Sequence, residues 1–281
     1  MEENTPDVRF TQMNDKDLLS ILEFSELVGI RQSKLRHYDE IKLFEPIMRG
    51  ENNYRYYSSP QTIAVNLVTV MRNANIPLKK IAEIKKNKTP ESVLELFSEH
   101  EVDLNRALFN LQQAYSIIHT YCGLIREGLL ADEKVIAKRR MTALPIELGD
   151  VNDFSSGYFY DSFFEFLKLM ISHKINAAYP IGGYYDDFKS FAEAPGKPAR
   201  FFSHTPTGRD LKEEGDYLVG YSRGYYGEPG DLPERLATYA KENKLSFTGP
   251  VYEVYLHNEI SVDDPDRYLI QVSVPIKKSR S

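Results

Sequence analysis

From Glu91 to Cys122 this 281-residue chain contains neither proline nor glycine, and its apolar residues keep a narrow rhythm. Leu104, Leu108, Leu111, Tyr115, Ile118, Cys122, Ile125 and Leu129 follow one another in alternating steps of four and three, a heptad seam held for over three repeats. Thr89-Pro90-Glu91 is a helix opening, with Thr89 as cap and Pro90 in the first position. A helix of about 35 residues is roughly 50 Å long at 1.5 Å per residue. A seam of that length is hard to leave in water, so the spacing over residues 89–130 predicts a partner helix; a long helix lying on its own domain is the other solution.

The bulk numbers allow two domains with real cores. Hydrophobic residues make up 42% and charged residues 27%, as in ordinary globular chains. No apolar run reaches the roughly 18–20 residues of a membrane span, and the polar, acidic start MEENTPDVRFTQMNDKD does not read as a signal peptide. Cys122 is the only cysteine, which rules out an internal disulfide and points to a cytoplasmic location. One thiol leaves a soft-metal site short of ligands and excludes an iron–sulfur cluster. On the seam, Cys122 reads as a small buried hydrophobe. The sequence assigns no metal and no cofactor.

The net charge of −6 is unevenly spread. Residues 20–90 hold 12 Lys/Arg against 7 Asp/Glu, whereas residues 141–281 hold 15 against 21. Attraction to phosphate is local at physiological salt, so this asymmetry suits a basic nucleic-acid reader joined to an acidic domain. The basic half carries the run RQSKLRHYDEIKLFEPIMRGENNYRYY over residues 31–57. After a flexible tail over residues 1–19, Ser20 can cap a helix with Phe24, Leu27 and Val28 on one face and Gly29 at its end. A second helix over residues 32–41 would bury Leu35, Tyr38 and Ile41 and leave Ser33, Lys34, Arg36 and His37 outside. Asn52 and Asn53 form a turn, and Tyr54-Arg55-Tyr56-Tyr57 reads as a strand whose alternation sets Arg55 and Tyr57 opposite Tyr54 and Tyr56. One face of this ribbon can pack on the helices and the other can offer Arg and Tyr groups to phosphate oxygens. Ser59 and Pro60 then open a further helix, and Pro77 another.

KLRHYDEIKLFEP followed by NNYRYYS resembles the DNA-binding domain of the MerR family of bacterial regulators, whose pattern runs roughly LRYYDxxGLxxP and then YRxY. The likeness covers residues 20–88. It implies a winged helix-turn-helix in which Arg36, His37 and Tyr38 take the R-Y-Y triplet and Tyr54, Arg55 and Tyr56 the wing motif, with Ser33 and Lys34 beside them as DNA-binding residues. His37 departs from the usual tyrosine and Lys42 from a frequent glycine. The likeness also implies that residues 89–130 form an antiparallel coiled coil in a homodimer, with Leu104, Leu108, Leu111, Tyr115, Ile118, Cys122 and Ile125 at the contact. The dimer would read double-stranded promoter DNA.

Residues 139–281 read as an α+β domain with helices packed on an antiparallel sheet. Strands are expected at Met141–Leu148, Ala178–Tyr185, Arg200–Ser203, Asp216–Tyr225, Val251–His257 and Tyr268–Val274. Helices are expected at Ser162–His173 and Leu232–Asn243, the latter capped by Asp231. Gly182-Gly183 lacks a dinucleotide frame, and no metalloprotease or nucleophile-elbow motif is present. Tyrosine is in surplus, and each hydroxyl needs a partner in a dry core. In GPVYEVYL, alternation puts Glu253 and Tyr255 on one face, opposite Val251, Tyr252 and Val254. A carboxylate among aromatic rings is suited to a bulky, greasy cation.

This segment resembles the GyrI-like effector-binding domains of multidrug-sensing, BmrR-like members of the MerR family. The likeness implies that Glu253 binds lipophilic cations, with Tyr268 as a wall. Tyr158, Tyr160, Tyr184, Tyr221, Tyr225 and Tyr255 complete the candidate ligand-binding set, and Asp186, Asp187 and Glu259 are further acids that could share the role. The implied function is a transcription activator that answers a hydrophobic, cationic small molecule by remodelling promoter DNA for RNA polymerase. Two other readings stay open at this point: an effector-blind repressor, and a regulator whose second domain hydrolyses a hydrophobic substrate with Glu253 as base.

Overall fold

The computed structural model describes residues 18–86, 89–155 and 159–278. It divides into two compact units between Phe109 and Asn110, within one helix. The first half of that helix groups with the basic region and the second half with the acidic one, so it is not a separate unit of its own.

In the first unit, β1 (Leu18–Ser20) leads into α1 (Ile21–Val28) and α2 (Gln32–Glu40); β2 (Met48–Arg49) and β3 (Arg55–Ser58) form the wing; α3 (Gln61–Asn73) and α4 (Leu78–Lys86) follow. The helix start is fixed by a capping box, in which the Ser20 hydroxyl accepts the Glu23 N–H and the Glu23 carboxylate accepts the Ser20 N–H at 2.7 Å. Gly29, at φ +67°, ends α1 in the left-handed conformation. The strands order β1-β3-β2, all antiparallel. Leu18 and Leu19 therefore belong to a strand paired with Ser58 and Tyr57 rather than to a tail, because their backbone groups complete the wing's inner edge.

The core of this unit gathers Phe24, Leu35, Tyr38, Tyr57 and Val65, with Tyr57 stacked on Phe24 at 4.6 Å between ring centroids and on Phe44 at 5.8 Å. Three expected details differ. Leu27 is exposed, and Ile21, about one turn before Phe24, takes the core position. Ile41 stands at the end of α2, exposed, while Leu43 and Phe44 turn inward. Ser59 does not cap α3; the Gln61 side chain instead accepts the Ser58 N–H at 3.0 Å.

α5 (Pro90–Leu130) is a single helix of 41 residues, and Thr89 accepts the Ser92 N–H at 3.1 Å at its start. The seam lies bare along it. Leu111 is 69% exposed and Tyr115 71% exposed; Leu104, Leu108, Ile118 and Cys122 are exposed too, and Ile125 is half-buried. Among the described residues no helix is long and apolar enough to cross a membrane.

In the second unit the sheet comprises β4 (Ala137–Met141), β5 (Leu144–Leu148), β6 (Ile181–Tyr185), β7 (Arg200–His204), β8 (Asp210–Lys212), β9 (Gly215–Arg223), β10 (Leu245–Phe247), β11 (Val251–His257) and β12 (Leu269–Lys278). Among the described residues its order is β4-β9-β12-β11-β6-β7-β5-β8, with β10 on the end of β12 and all pairings antiparallel. The helices are α6 (Phe159–Ser172), α7 (Phe188–Glu193) and α8 (Leu232–Glu242). The strand expected over Met141–Leu148 falls on two strands at distant places in the sheet, the end of β4 and the whole of β5. Asp231 spends its carboxylate on Arg235 Nε at 2.8 Å instead of capping α8.

One face of the sheet carries Tyr185, Leu218, Val251, Tyr255, Ile270 and Val272 beneath residues of α7 and α8. The other carries Tyr217, Val219, Tyr221, Tyr252, Val254 and Leu269, against which Leu124 and Ala131 pack. Val251 thus shares the face of Glu253 and Tyr255, as strict period two requires.

Candidate functional site

α2 exposes Ser33, Lys34, Arg36 and His37. Arg36 reaches Gln32 one turn back at 3.4 Å, and the Lys34 ammonium lies 5.7 Å from the centre of the Tyr38 ring. Tyr38 itself is buried in the core, so its ring builds the helix's seat and is withdrawn from any phosphate. On the wing, Tyr54 is exposed and Tyr56 half-buried, their rings edge-on at 5.4 Å.

Arg55 corrects the sequence reading. It lies on the inward face with Tyr57, only 22% of its side chain is exposed, and its Nε donates to Asp39 at 2.6 Å. Arg49 donates to both oxygens of the same carboxylate, at 2.7 and 2.8 Å, and to Asn53 at 3.1 Å. Asp39, buried on α2, therefore ties the helix to β2 and β3 together. Asp39 is 2% exposed and holds two guanidiniums at once, so this clamp fixes the angle between helix and wing. Sequence reasoning missed it because an acid inside a basic segment carries no periodic signal of its own.

In the second unit a cavity of about 710 Å³ opens beside Glu253. Glu253 is 1% exposed. Tyr185 donates to its Oε2 and Tyr255 to its Oε1, both at 2.8 Å. The Gly227 N–H donates to the Tyr255 oxygen at 2.8 Å, which turns the phenol's own proton toward the carboxylate. Tyr185 also meets the Pro195 carbonyl. Burial pushes the Glu253 carboxyl up to about 7, against the opposing effect of the two tyrosine hydrogen bonds. Burial and the neighbouring carboxylate push both phenols well above their ordinary value, so they remain donors.

The cross-strand partner of Glu253 is Gly183. A Cβ there would lie 3.1 Å from Glu253 Oε2, and one on Gly182 would lie 2.3 Å from the Glu253 carbonyl oxygen. The glycine pair that fits no phosphate-binding frame thus clears space around the acid.

Of the tyrosines expected to bind ligand, Tyr160, Tyr225 and Tyr255 line the cavity with Glu253. Tyr268 stands behind, packed on Tyr225 at 6.2 Å and Tyr226 at 5.4 Å. Tyr184 and Tyr221 belong to the opposite face. Tyr184 packs edge-on to Tyr252 at 5.6 Å, and Tyr221 donates to Glu127 of α5 at 3.1 Å with Arg139 over its ring. Tyr158 lies outside the described residues. Asp187 caps α7 and Asp186 is exposed, whereas Glu259 does line the cavity. Tyr121, Tyr179, Tyr185 and Tyr226 are cavity residues outside the ligand-binding set expected from the sequence. Pairing with β11 would have found Tyr185, but Tyr121 sits on the helix assigned to dimerisation and gave no signal.

Across the sheet Lys212 is buried, its Nζ 4.6 Å from the centre of the Tyr252 ring and 5.0 Å from that of Tyr217, and donating to Ser273 Oγ at 2.8 Å. Burial lowers this ammonium to about 8.

A helix-turn-helix whose second helix presents basic residues beside a clamped wing, followed by a long helix and an α+β domain, defines a winged-helix DNA-binding regulator. Residues 20–57 match the sequence model described as MerR family regulatory protein, so the chain carries a MerR-family domain. It is 24% identical over 262 residues to the multidrug-efflux transporter 2 regulator of Bacillus subtilis, a span of 91% of this chain and 95% of that one. Over 71 residues, 25% of this chain and 26% of the relative, it is 34% identical to the transcriptional regulator BrlR of Pseudomonas aeruginosa. Among solved structures it is similar to EcmrR in an EcmrR–DNA complex, at 14% identity and a TM-score of 0.38, over 92% of this chain and 100% of that one.

Proposed function

We propose that this regulator senses a hydrophobic cation in the cavity around Glu253 and controls a promoter as a homodimer joined through α5. The observation that carries the reading is a fully buried carboxylate, held only by phenol hydroxyls, beside a tyrosine-lined cavity of about 710 Å³. That volume is within the usual range for small-molecule sites. A cation entering the cavity supplies the countercharge that burial has withheld, and the rings contribute cation–π attraction. The bare seam of α5 supports an antiparallel coiled coil with a second copy, because Leu104, Leu108, Leu111, Tyr115 and Ile118 are exposed in the single chain. The GyrI-like resemblance and the multidrug-efflux name of the Bacillus subtilis relative support the same class of ligand. In this reading the protein works in the cytoplasm, Ser33, Lys34, Arg36, His37, Tyr54 and Tyr56 meet DNA, and Arg55 holds the wing in place. The effector-bound dimer bends and untwists the promoter so that RNA polymerase can engage it, the deformation being repaid by backbone contacts.

Calorimetric titration with tetraphenylphosphonium, run beside Glu253→Gln, tests the sensor. Saturable binding that fails in the variant is expected; equal binding by both would remove Glu253 from the site. Light scattering after size exclusion should give twice the 32.4 kDa chain mass, and a monomer at micromolar concentration would remove the coiled coil. Arg36→Ala should weaken specific and random duplex alike and lower the salt slope by about 1, as loss of a phosphate contact does.

A further inference from the structure

Glu253 is not the only acid on the cavity wall. Glu259 follows β11 by two residues and is exposed where Glu253 is buried, yet both line the same space. A relay of two rings joins them. Tyr255 donates to Glu253 at 2.8 Å, the ring of Tyr226 stands edge-on to that of Tyr255 at 4.5 Å, and the Tyr226 hydroxyl donates to Glu259. Among the described residues neither carboxylate forms an ion pair with a lysine, arginine or histidine, although many acids of the unit do. One acid is therefore at the closed end of the site and one at its open rim, with aromatic faces between them.

We propose that the cavity recognises a dication: one positive group against Glu253, a second against Glu259, and the intervening body on the rings of Tyr255 and Tyr226. This deepens the cation-sensing reading and rests on it. A monocation seated at Glu253 leaves the rim carboxylate without a countercharge, whereas a second positive group of suitable reach meets both. The two ends differ in strength. The inner acid has lost its water and gives the larger share of attraction, while the rim acid acts through solvent, where two unit charges about 4 Å apart gain roughly fivefold in affinity. Because Glu253 is held by Tyr185 and Tyr255 and Glu259 by Tyr226, the gain should depend on the distance between the ligand's charges. It should also fade with added salt, which screens exposed groups first.

The test uses the full chain and calorimetry with α,ω-bis(trimethylammonium) alkanes of increasing chain length, each beside the alkyltrimethylammonium monocation of the same length, and with tetraphenylphosphonium. In the wild type one chain length should be favoured about fivefold or more over its monocation. In Glu259→Gln, an exposed and isosteric change, that dication-to-monocation ratio should collapse to about one. Monocation binding with no dication preference at any length, or a preference that survives in Glu259→Gln, overturns the two-point site and leaves the cation sensor standing. If tetraphenylphosphonium and the monocations all fail to bind, the sensor reading falls and the two-point site with it.

Discussion

Tyr252 and Glu253 are neighbours on β11 and face opposite sides of one sheet, and the two sides treat charge differently. Behind Tyr252 the chain supplies its own cation: Lys212 fills the space between the rings of Tyr252 and Tyr217 and hydrogen-bonds Ser273. On the Glu253 side the tyrosines surround an anion, and a cavity stands where a lysine could have been. The same residue type thus builds a closed core on one face and an open receptor on the other. What decides between them is whether a side chain of the protein itself fills the space that the rings enclose. A buried carboxylate satisfied only by hydroxyl donors is electrostatically incomplete, and the free energy of completing it is left for a ligand.

The largest test of this contrast removes the incomplete charge. Glu253→Gln should lower affinity for tetraphenylphosphonium by about 30-fold or more, since truncating a buried charged partner costs about 2–5 kcal/mol. The same variant should be more stable than wild type without ligand at pH 8. A carboxyl raised to about 7 in the folded state contributes its stability below its unfolded value and loses it as pH rises through 7, a loss glutamine does not suffer. Thermal unfolding across that range reads the difference, and a less stable variant at pH 8 would contradict it.

Proton linkage gives the next effect. The cation needs the ionised acid, so affinity should level off above about pH 8 and be about tenfold lower at pH 6 than at pH 8. Pocket shape comes third. Gly183→Ala brings a methyl to 3.1 Å from Glu253 Oε2 and 3.2 Å from the Pro198 Cβ, and should weaken the ligand by a few fold at a stability cost of about 1 kcal/mol. The smallest effect is expected across the sheet. Lys212→Met keeps the volume and removes the charge, and should change stability near pH 7 by about 1 kcal/mol and cation affinity by less than about twofold. Because burial lowers the Lys212 ammonium to about 8, wild type should gain on this variant as pH rises from 8 toward the unfolded value of 10.5. A large loss of ligand affinity in Lys212→Met would mean the two faces do not act separately.

The local signals in the sequence were strong where one residue's role depends on its neighbours along the chain. Ser20 and Gly29 bound α1 by capping chemistry, the unbroken heptad run became one helix, and alternation placed Glu253 with Tyr255. Signals failed where partners come from far away. Tyr184, Tyr185 and Tyr221 look alike in sequence, but only Tyr185 is paired with the acid, because its strand lies beside β11 in a register that only the assembled sheet defines. Met141–Leu148 reads as one strand because nothing local says that its two ends pair with different partners.

The sequence by itself determined that the basic half carries two short helices and a wing, that a long apolar seam follows, and that an acid stands among aromatics near the end. These depend on periodicity, caps and composition, which act within a few residues. The tertiary structure decided that Arg55 serves Asp39, that Glu253 is buried and opens on a cavity, and that Lys212 closes the opposite face. Each of those depends on desolvation and on contacts between residues 16 to 68 positions apart, and burial changes the energy of a charge far more than any neighbour in sequence can.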